Sequence, residues 1–213
     1  MLRLARRCVL TVVAALIPMP ALAQDVARSL DQLQRTLKAG QTVVDYCAGA
    51  GGKTIALADL VGPKGRVLAW DISPRRLNEA KRRAKQLKLQ QVSFPKAVRL
   101  DEADLVLVDA PCSGTGTLSR EPDQKWKLHH KDIAEYAKKQ SAILDEVAAK
   151  MRPDATLVYA TCSVLRTENE EVVDAFVKAH PLWRCEEAMH VWPHESEGGG
   201  FFGARLTQTP PKR

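Results

Sequence analysis

The sequence predicts a doubly wound α/β fold: a mostly parallel, seven-stranded sheet with helices on its faces. Three observations predict it. Short apolar runs alternate with helical patterns from residue 41 onward, as successive strand–helix–strand units do. The first run lies in VVDYCAGAGGKT, residues 43–54; it ends in an acid and passes through a glycine-rich turn into a helix. Such a turn seats a nucleotide-type cofactor at the carboxyl end of a parallel strand. Two later apolar runs each deliver a thiol just past their ends, Cys112 in DAPCSGTG and Cys162 in YATCS.

Residues 42–46 read as a buried strand, 53–60 as a helix and Gly62-Pro63-Lys64-Gly65 as a turn. A second strand over 66–70 ends at Asp71, and Ser73 with Pro74 opens the next helix. That helix has Leu77, Ala80, Ala84 and Leu87 as its apolar stripe; Arg75, Arg76, Lys81, Arg82, Arg83, Lys85 and Lys88 fill much of the rest. This charge is either a solvated face or an RNA-facing surface. A short strand over 92–94 precedes a strongly apolar one over 104–108, closed by Asp109. The loop 110–130 is rich in Gly, Ser, Thr and Pro, and its length points to function. A helix over 131–151 turns Ile133, Ala137, Leu144, Val147 and Met151 inward, and 155–160 is strand five. Thr167-Glu168-Asn169-Glu170 fits a capping box for a helix ending near His180-Pro181. Strands over 183–191 and 201–207 finish the sheet, one of them antiparallel.

A chain of 213 residues with 45% hydrophobic and 27% charged residues fits one globular domain. Its net charge of +7 and pI near 9.3 point to a polyanionic partner, nucleic acid first. The five cysteines, Cys8, Cys47, Cys112, Cys162 and Cys185, form no C-x-x-C pair, so reduced thiols are expected rather than zinc or disulfides. No stretch is long enough for a convincing membrane span. The first 23 residues carry Arg3, Arg6 and Arg7, an apolar run and Ala21-Leu22-Ala23, the three parts of a secretory signal peptide. The natural division is therefore a signal-like segment at 1–23 and a functional domain at 24–213. Export by that segment conflicts with the reducing, cytoplasmic compartment that the thiols favour.

The glycine turn is neither of two common phosphate motifs. A P-loop requires glycine where Cys47 stands, and a dinucleotide fingerprint requires it at Thr54. What remains is a turn paired with Asp71, an acid able to accept both hydroxyls of a ribose. An adenosyl cofactor without a pyrophosphate fits, and S-adenosylmethionine is the common one. The residues after strand four, Asp109-Ala110-Pro111-Cys112, lack the aromatic expected for methylation of an exocyclic amine. Thiols suit a different reaction. Carbon 5 of a pyrimidine is too weak a nucleophile to attack a sulfonium methyl, but a thiolate added at carbon 6 turns the ring into an enamine. A thiol of ordinary pKa, about 8.5, must be drawn down for this, which Lys53 or nearby dipoles could do.

Four segments, DYCAGAGGKT, VLVDAPCSGTGTLSREPDQKW, YATCSVLRTENEEVV and GGGFFGARL, resemble in order the signatures of the Nop/Sun (Fmu-like) family of RNA 5-methylcytosine methyltransferases. The similarity spans approximately residues 24–206. It implies a class I, Rossmann-like fold dependent on S-adenosylmethionine, an RNA substrate (ribosomal RNA first), a cytoplasmic monomer and no metal. It also implies that Cys162 is the nucleophile and that Cys112 assists product release. Asp109 would sit between methyl donor and base with Lys53 nearby. Cys47, Ala48, Gly49, Ala50, Gly51, Gly52, Lys53, Asp71 and Asp109 would hold the cofactor, Cys47 by packing. Arg120, Pro122, Asp123 and Trp126 match the loop that shapes the substrate side, and Cys185 matches no role. The chain departs from the family where an acid usually contacts the adenine: Phe94-Pro95-Lys96-Ala97 offers none, and Asp101 is a weak substitute. The family's upstream RNA-binding regions are replaced by the signal-like stretch, although Gln24-Asp25 resembles the start of the catalytic module. A remnant that binds RNA or cofactor without turnover, or an exported protein reusing the fold, are the alternatives.

Overall fold

Central strands of a doubly wound sheet are covered on both sides, so their sequences are apolar throughout rather than alternating. The computed structural model describes residues 36–195 and 199–209; the signal-like segment, Cys8 and Gln24-Asp25 lie outside them. Among the described residues the elements run β1 (Thr42–Asp45), α1 (Gly52–Val61), β2 (Arg66–Ala69), α2 (Pro74–Gln86), β3 (Val92–Ser93) and β4 (Leu105–Asp109). There follow α3 (Gln124–Lys127), α4 (His130–Ala148), β5 (Thr156–Thr161), α5 (Glu170–Ala179), β6 (Trp183–Val191) and β7 (Phe201–Gln208). The strands form one sheet in the order β3-β2-β1-β4-β5-β7-β6. Its first five members are parallel, and β7 inserts antiparallel between β5 and β6.

Successive strand residues face opposite layers. Val44, Val106, Val108, Leu157 and Tyr159 pack with Leu144 and Val147 of α4 and Val172, Val173 and Phe176 of α5. Val43, Leu105, Leu107, Val158 and Ala160 pack on the other side with Leu57, Ala58 and Val61 of α1. The strand order reverses at β1, which has β2 on one side and β4 on the other. In such sheets the crevice outside the carboxyl ends at that reversal is where ligands bind.

Each predicted strand is present, with ends shifted by at most one residue. The long loop after β4 is partly ordered into a 3-10 turn, Thr115–Thr117, and the short helix α3. Two caps differ from expectation. Ser73 stands at the N-cap of α2 with Pro74 behind it, but its side chain makes no capping bond; its N–H instead donates to Asp71 Oδ1 at 2.7 Å. The capping box at residues 167–170 does not form, because residues 166–168 coil into a 3-10 turn and Asn169 occupies the N-cap. Its acid, Glu168, is buried among other partners. A capping box does form at α4, where Asp132 accepts the His129 N–H at 2.9 Å.

Gly51 initiates α1 with φ of 85°, and a Cβ there would lie 2.7 Å from the Ala80 Cβ of α2. Both the left-handed backbone and the close helix approach require glycine. Gly51→Ala should lower stability by about 3 kcal/mol and the melting temperature by roughly 6–12 °C, read by thermal circular dichroism. An unchanged melting temperature would contradict this packing.

Candidate active site

Parallel strands release their following residues on one edge of the sheet. Cys47 lies two residues past β1, Asp71 two past β2, Asp109 ends β4, Cys112 follows by three, and Cys162 follows β5 by one. These five residues line a single cavity of about 450 Å³. Its walls include Tyr46 packed on Trp70 at 4.7 Å between ring centroids, and Ile72, whose side chain is almost fully exposed.

The glycine turn is anchored by backbone bonds. Ala48 N–H donates to the Trp70 carbonyl at 2.9 Å, Gly51 N–H to the Ala48 carbonyl at 2.8 Å, and Gly49 N–H to Asp71 Oδ2 at 2.8 Å. With one N–H on Oδ2 and the Ser73 N–H on Oδ1, each Asp71 oxygen keeps acceptor capacity. The residues therefore fit an adenosyl group: a fixed acid for a ribose diol, flanked by the exposed apolar side chain of Ile72. Asp101 does not join them. Arg99 holds it through bonds of 2.9 and 2.7 Å, and it is absent from the cavity wall.

Deeper in, Lys53 Nζ pairs with Asp109 Oδ2 at 2.7 Å. Burial disfavours the ammonium, but Asp109 more than offsets this and holds the Lys53 pKa above its usual value. Asp45 is fully buried; its Oδ2 accepts the Thr54 hydroxyl at 2.6 Å, while its Oδ1 has no protein partner. Burial, against that hydrogen bond, lifts its pKa to about 7. Sequence reasoning saw Asp45 as the end of a strand but not as a neutralised acid.

The sulfurs of Cys112 and Cys162 are 3.3 Å apart. Their shared hydrogen bond lowers Cys162, aided by the Lys53 charge against burial and Asp109. The same bond and burial raise Cys112. The two thiols are thus inequivalent, Cys162 the more easily ionised and Cys112 the less. Burial and neighbouring acids push Cys47 up to about 12, which keeps it an inert thiol. Cys185 is exposed on β6, remote from the cavity wall.

The loops that carry the thiols are locked together. Gly116 N–H donates to the Cys162 carbonyl at 2.9 Å, and Gly200 N–H to the Gly116 carbonyl at 2.7 Å. A Cβ on Gly116 would approach the Cys162 carbonyl to 2.7 Å and the Gly200 carbonyl more closely still, so Gly116 meets both the Cys162 loop and Gly200 through bare backbone. Arg120, Pro122, Asp123 and Trp126 do not line the cavity; Trp126 is 78% exposed, with Lys125 Nζ 4.8 Å from its ring centre. Residues missed from sequence are Ser113, Ser163, Gln140 and Glu168, buried polar groups behind the thiols. The serine after each cysteine was the available signal. Among the described residues there is no cluster of three or more potential metal ligands, and no helix long and apolar enough to cross a membrane.

This strand order, ending in an inserted antiparallel strand and carrying its cavity at the β1 reversal, defines the class I methyltransferase fold. An S-adenosylmethionine-dependent methyltransferase from Aquifex aeolicus, 20% identical, shares it with a TM-score of 0.58 over 87% of this chain and 90% of that one. The chain belongs to the 16S rRNA methyltransferase RsmB/F family, whose model matches residues 33–207. The Nop/Sun resemblance carried by the four motifs is thereby borne out. The chain is 37% identical over 181 residues to ribosomal RNA small subunit methyltransferase B of Yersinia pseudotuberculosis, covering 78% of this chain and 42% of that protein. It thus spans less than half the length of that relative. Among solved structures, NSun6 from Pyrococcus horikoshii with SFG, an S-adenosylmethionine analogue, is 27% identical, with a TM-score of 0.74 over 89% of this chain and 52% of that one. The protein PH0851 is 31% identical, with a TM-score of 0.80 over 87% and 46%.

Asp45 supplies a pH test. Its folded pKa stands above its unfolded value, so the stability it lends is complete at low pH and is lost as pH rises through about 7. Asp45→Asn should therefore be more stable than the parent by about 1–3 kcal/mol at pH 8 and nearly equal to it at pH 4. Urea unfolding at the two pH values checks this; a pH-independent difference would refute the neutral carboxyl.

Proposed function

We propose that this chain is the catalytic module of an S-adenosylmethionine-dependent RNA cytosine-5 methyltransferase acting on ribosomal RNA through a covalent Cys162–cytosine adduct. The observation that carries this reading is the contact of two inequivalent thiols beside the Asp109–Lys53 pair. Asp71 and the turn from Cys47 to Lys53 would hold the cofactor, which when bound supplies an electrophilic methyl group. Exposed Arg75, Lys81, Arg82 and Lys85 on α2, with Lys88 just past its end, offer charge for a phosphate backbone.

In this reading the Cys162 thiolate adds to carbon 6 of the cytosine, and the ring electrons move to carbon 5. Asp109 accepts a hydrogen bond from the base and Lys53 keeps that carboxylate oriented. Once carbon 5 carries the methyl group, its proton leaves to a base, the carbon 6–sulfur bond breaks, and the electron pair returns to Cys162. The Cys112 S–H stabilises that departing thiolate by hydrogen bonding to it. A second reading, a module that binds without turnover, is favoured by the engagement of Asp101 with Arg99, which leaves no acid for the adenine at that position. Measurable heat on calorimetric titration with S-adenosylmethionine, together with methyl transfer, distinguishes the enzyme from the remnant.

Cys162→Ala should reduce methyl transfer to 16S rRNA by about 10³-fold or more. Cys112→Ala should leave a protein–RNA adduct that survives denaturing electrophoresis. Intact transfer by the Cys162 variant would falsify the mechanism.

A further inference from the structure

Glu168 is fully buried, and a buried carboxylate is tolerated when its acceptor sites are filled. Its Oε1 accepts the Ser113 N–H at 2.8 Å and the Gln140 amide at 3.1 Å. Its Oε2 accepts the Ser163 hydroxyl at 2.6 Å and also the Ser113 hydroxyl. Ser113 directly follows Cys112, and Ser163 directly follows Cys162. One carboxylate therefore ties together the two loops that present the thiols. Gln140 also donates to the Pro111 carbonyl at 3.0 Å, so Cys112 is anchored on both sides. Glu168 is itself held from behind by the Tyr159 hydroxyl, which donates to its carbonyl at 2.5 Å. The next residue, Asn169, accepts from Thr161 at 2.6 Å and donates to the Ser163 carbonyl at 2.9 Å, bracketing Cys162 in turn. None of Glu168, Gln140, Ser113 and Ser163 lines the cavity.

We propose that Glu168 is a positioning residue that holds the Cys112 and Cys162 sulfurs in mutual contact and so keeps their roles distinct. What the sulfurs do rests on the proposed function; what holds them does not. The Glu168 charge also acts on Cys112, disfavouring a second thiolate beside Cys162. Glu168→Gln keeps the shape but turns an amide donor toward a ring of donors. Ser163→Ala removes one strut and leaves the carboxylate.

The test uses the full chain without RNA or cofactor. Iodoacetamide alkylates a thiolate with loss of iodide, and peptide mass spectrometry reads Cys112 and Cys162 separately across pH 6–9 (about that range brackets an ordinary thiol). In the parent, Cys162 should react at least about tenfold faster than Cys112 near neutrality. In Glu168→Gln the ratio should collapse toward unity and the two pH profiles converge, with a smaller change in the same direction in Ser163→Ala. A merely structural carboxylate would alter melting temperature without merging the profiles. An unchanged ratio in folded Glu168→Gln would overturn the proposal. Should that variant fail to fold, an unchanged ratio in Ser163→Ala would overturn it instead. Loss of methyl transfer in the parent would sink the functional reading alone, since alkylation still decides the clamp.

Discussion

The parallel ladder between β4 and β5, in which Asp109 lies beside Ala160, is the constraint on which the site depends. Two strands paired in the same direction end on the same edge. Short extensions then suffice to bring sulfurs 50 positions apart in the chain to 3.3 Å. Antiparallel pairing would have sent one thiol to the opposite edge. The inserted antiparallel β7 contributes differently: Gly200, just before it, closes on Gly116, and its first residue, Phe201, lies with its ring centre 5.9 Å from Lys53 Nζ.

The chemistry of the edge follows from unequal burial and unequal partners. Three acids end or follow strands there, and each is handled differently. Asp109 is compensated by the Lys53 ammonium, Asp71 by two backbone N–H groups, and Asp45 by little beyond one hydroxyl. Desolvation therefore falls most heavily on Asp45, which is driven toward neutrality. The thiols divide in the same way. Their shared contact and the Lys53 charge lower Cys162, whereas that contact, burial and the Glu168 charge raise Cys112.

The central strands β1, β4 and β5 were legible in the sequence because a sheet covered on both faces writes itself as largely apolar runs. The edge strand β6, which carries Arg184, Glu186 and Glu187, and its neighbour β7 are not such runs, yet their bounds were found almost to the residue. The glycine turn, Asp71, Asp109 and both thiols were legible because each sits within two or three residues of a strand end. Glu168 was misread because Thr167-Glu168-Asn169-Glu170 satisfies a local capping pattern, while its actual partners lie at residues 113, 140 and 163. Gln140 was passed over because one polar residue on the apolar stripe of α4 has no local explanation. Both belong to a tertiary network that joins loops far apart in the chain, which no periodicity encodes. Asp101 lies off the cavity wall and is bonded to a near neighbour, Arg99, a local pairing that the sequence reading did not anticipate.

The most direct measurement uses 16S rRNA transcribed with 5-fluorocytidine, in which fluorine replaces the proton that must leave carbon 5. Incubated with S-adenosylmethionine and the parent protein, it should accumulate a covalent complex. Proteolysis and mass spectrometry should then locate the nucleotide on the sulfur of Cys162. Absence of any complex despite cofactor binding, or attachment at Cys47, Cys112 or Cys185, would contradict the account.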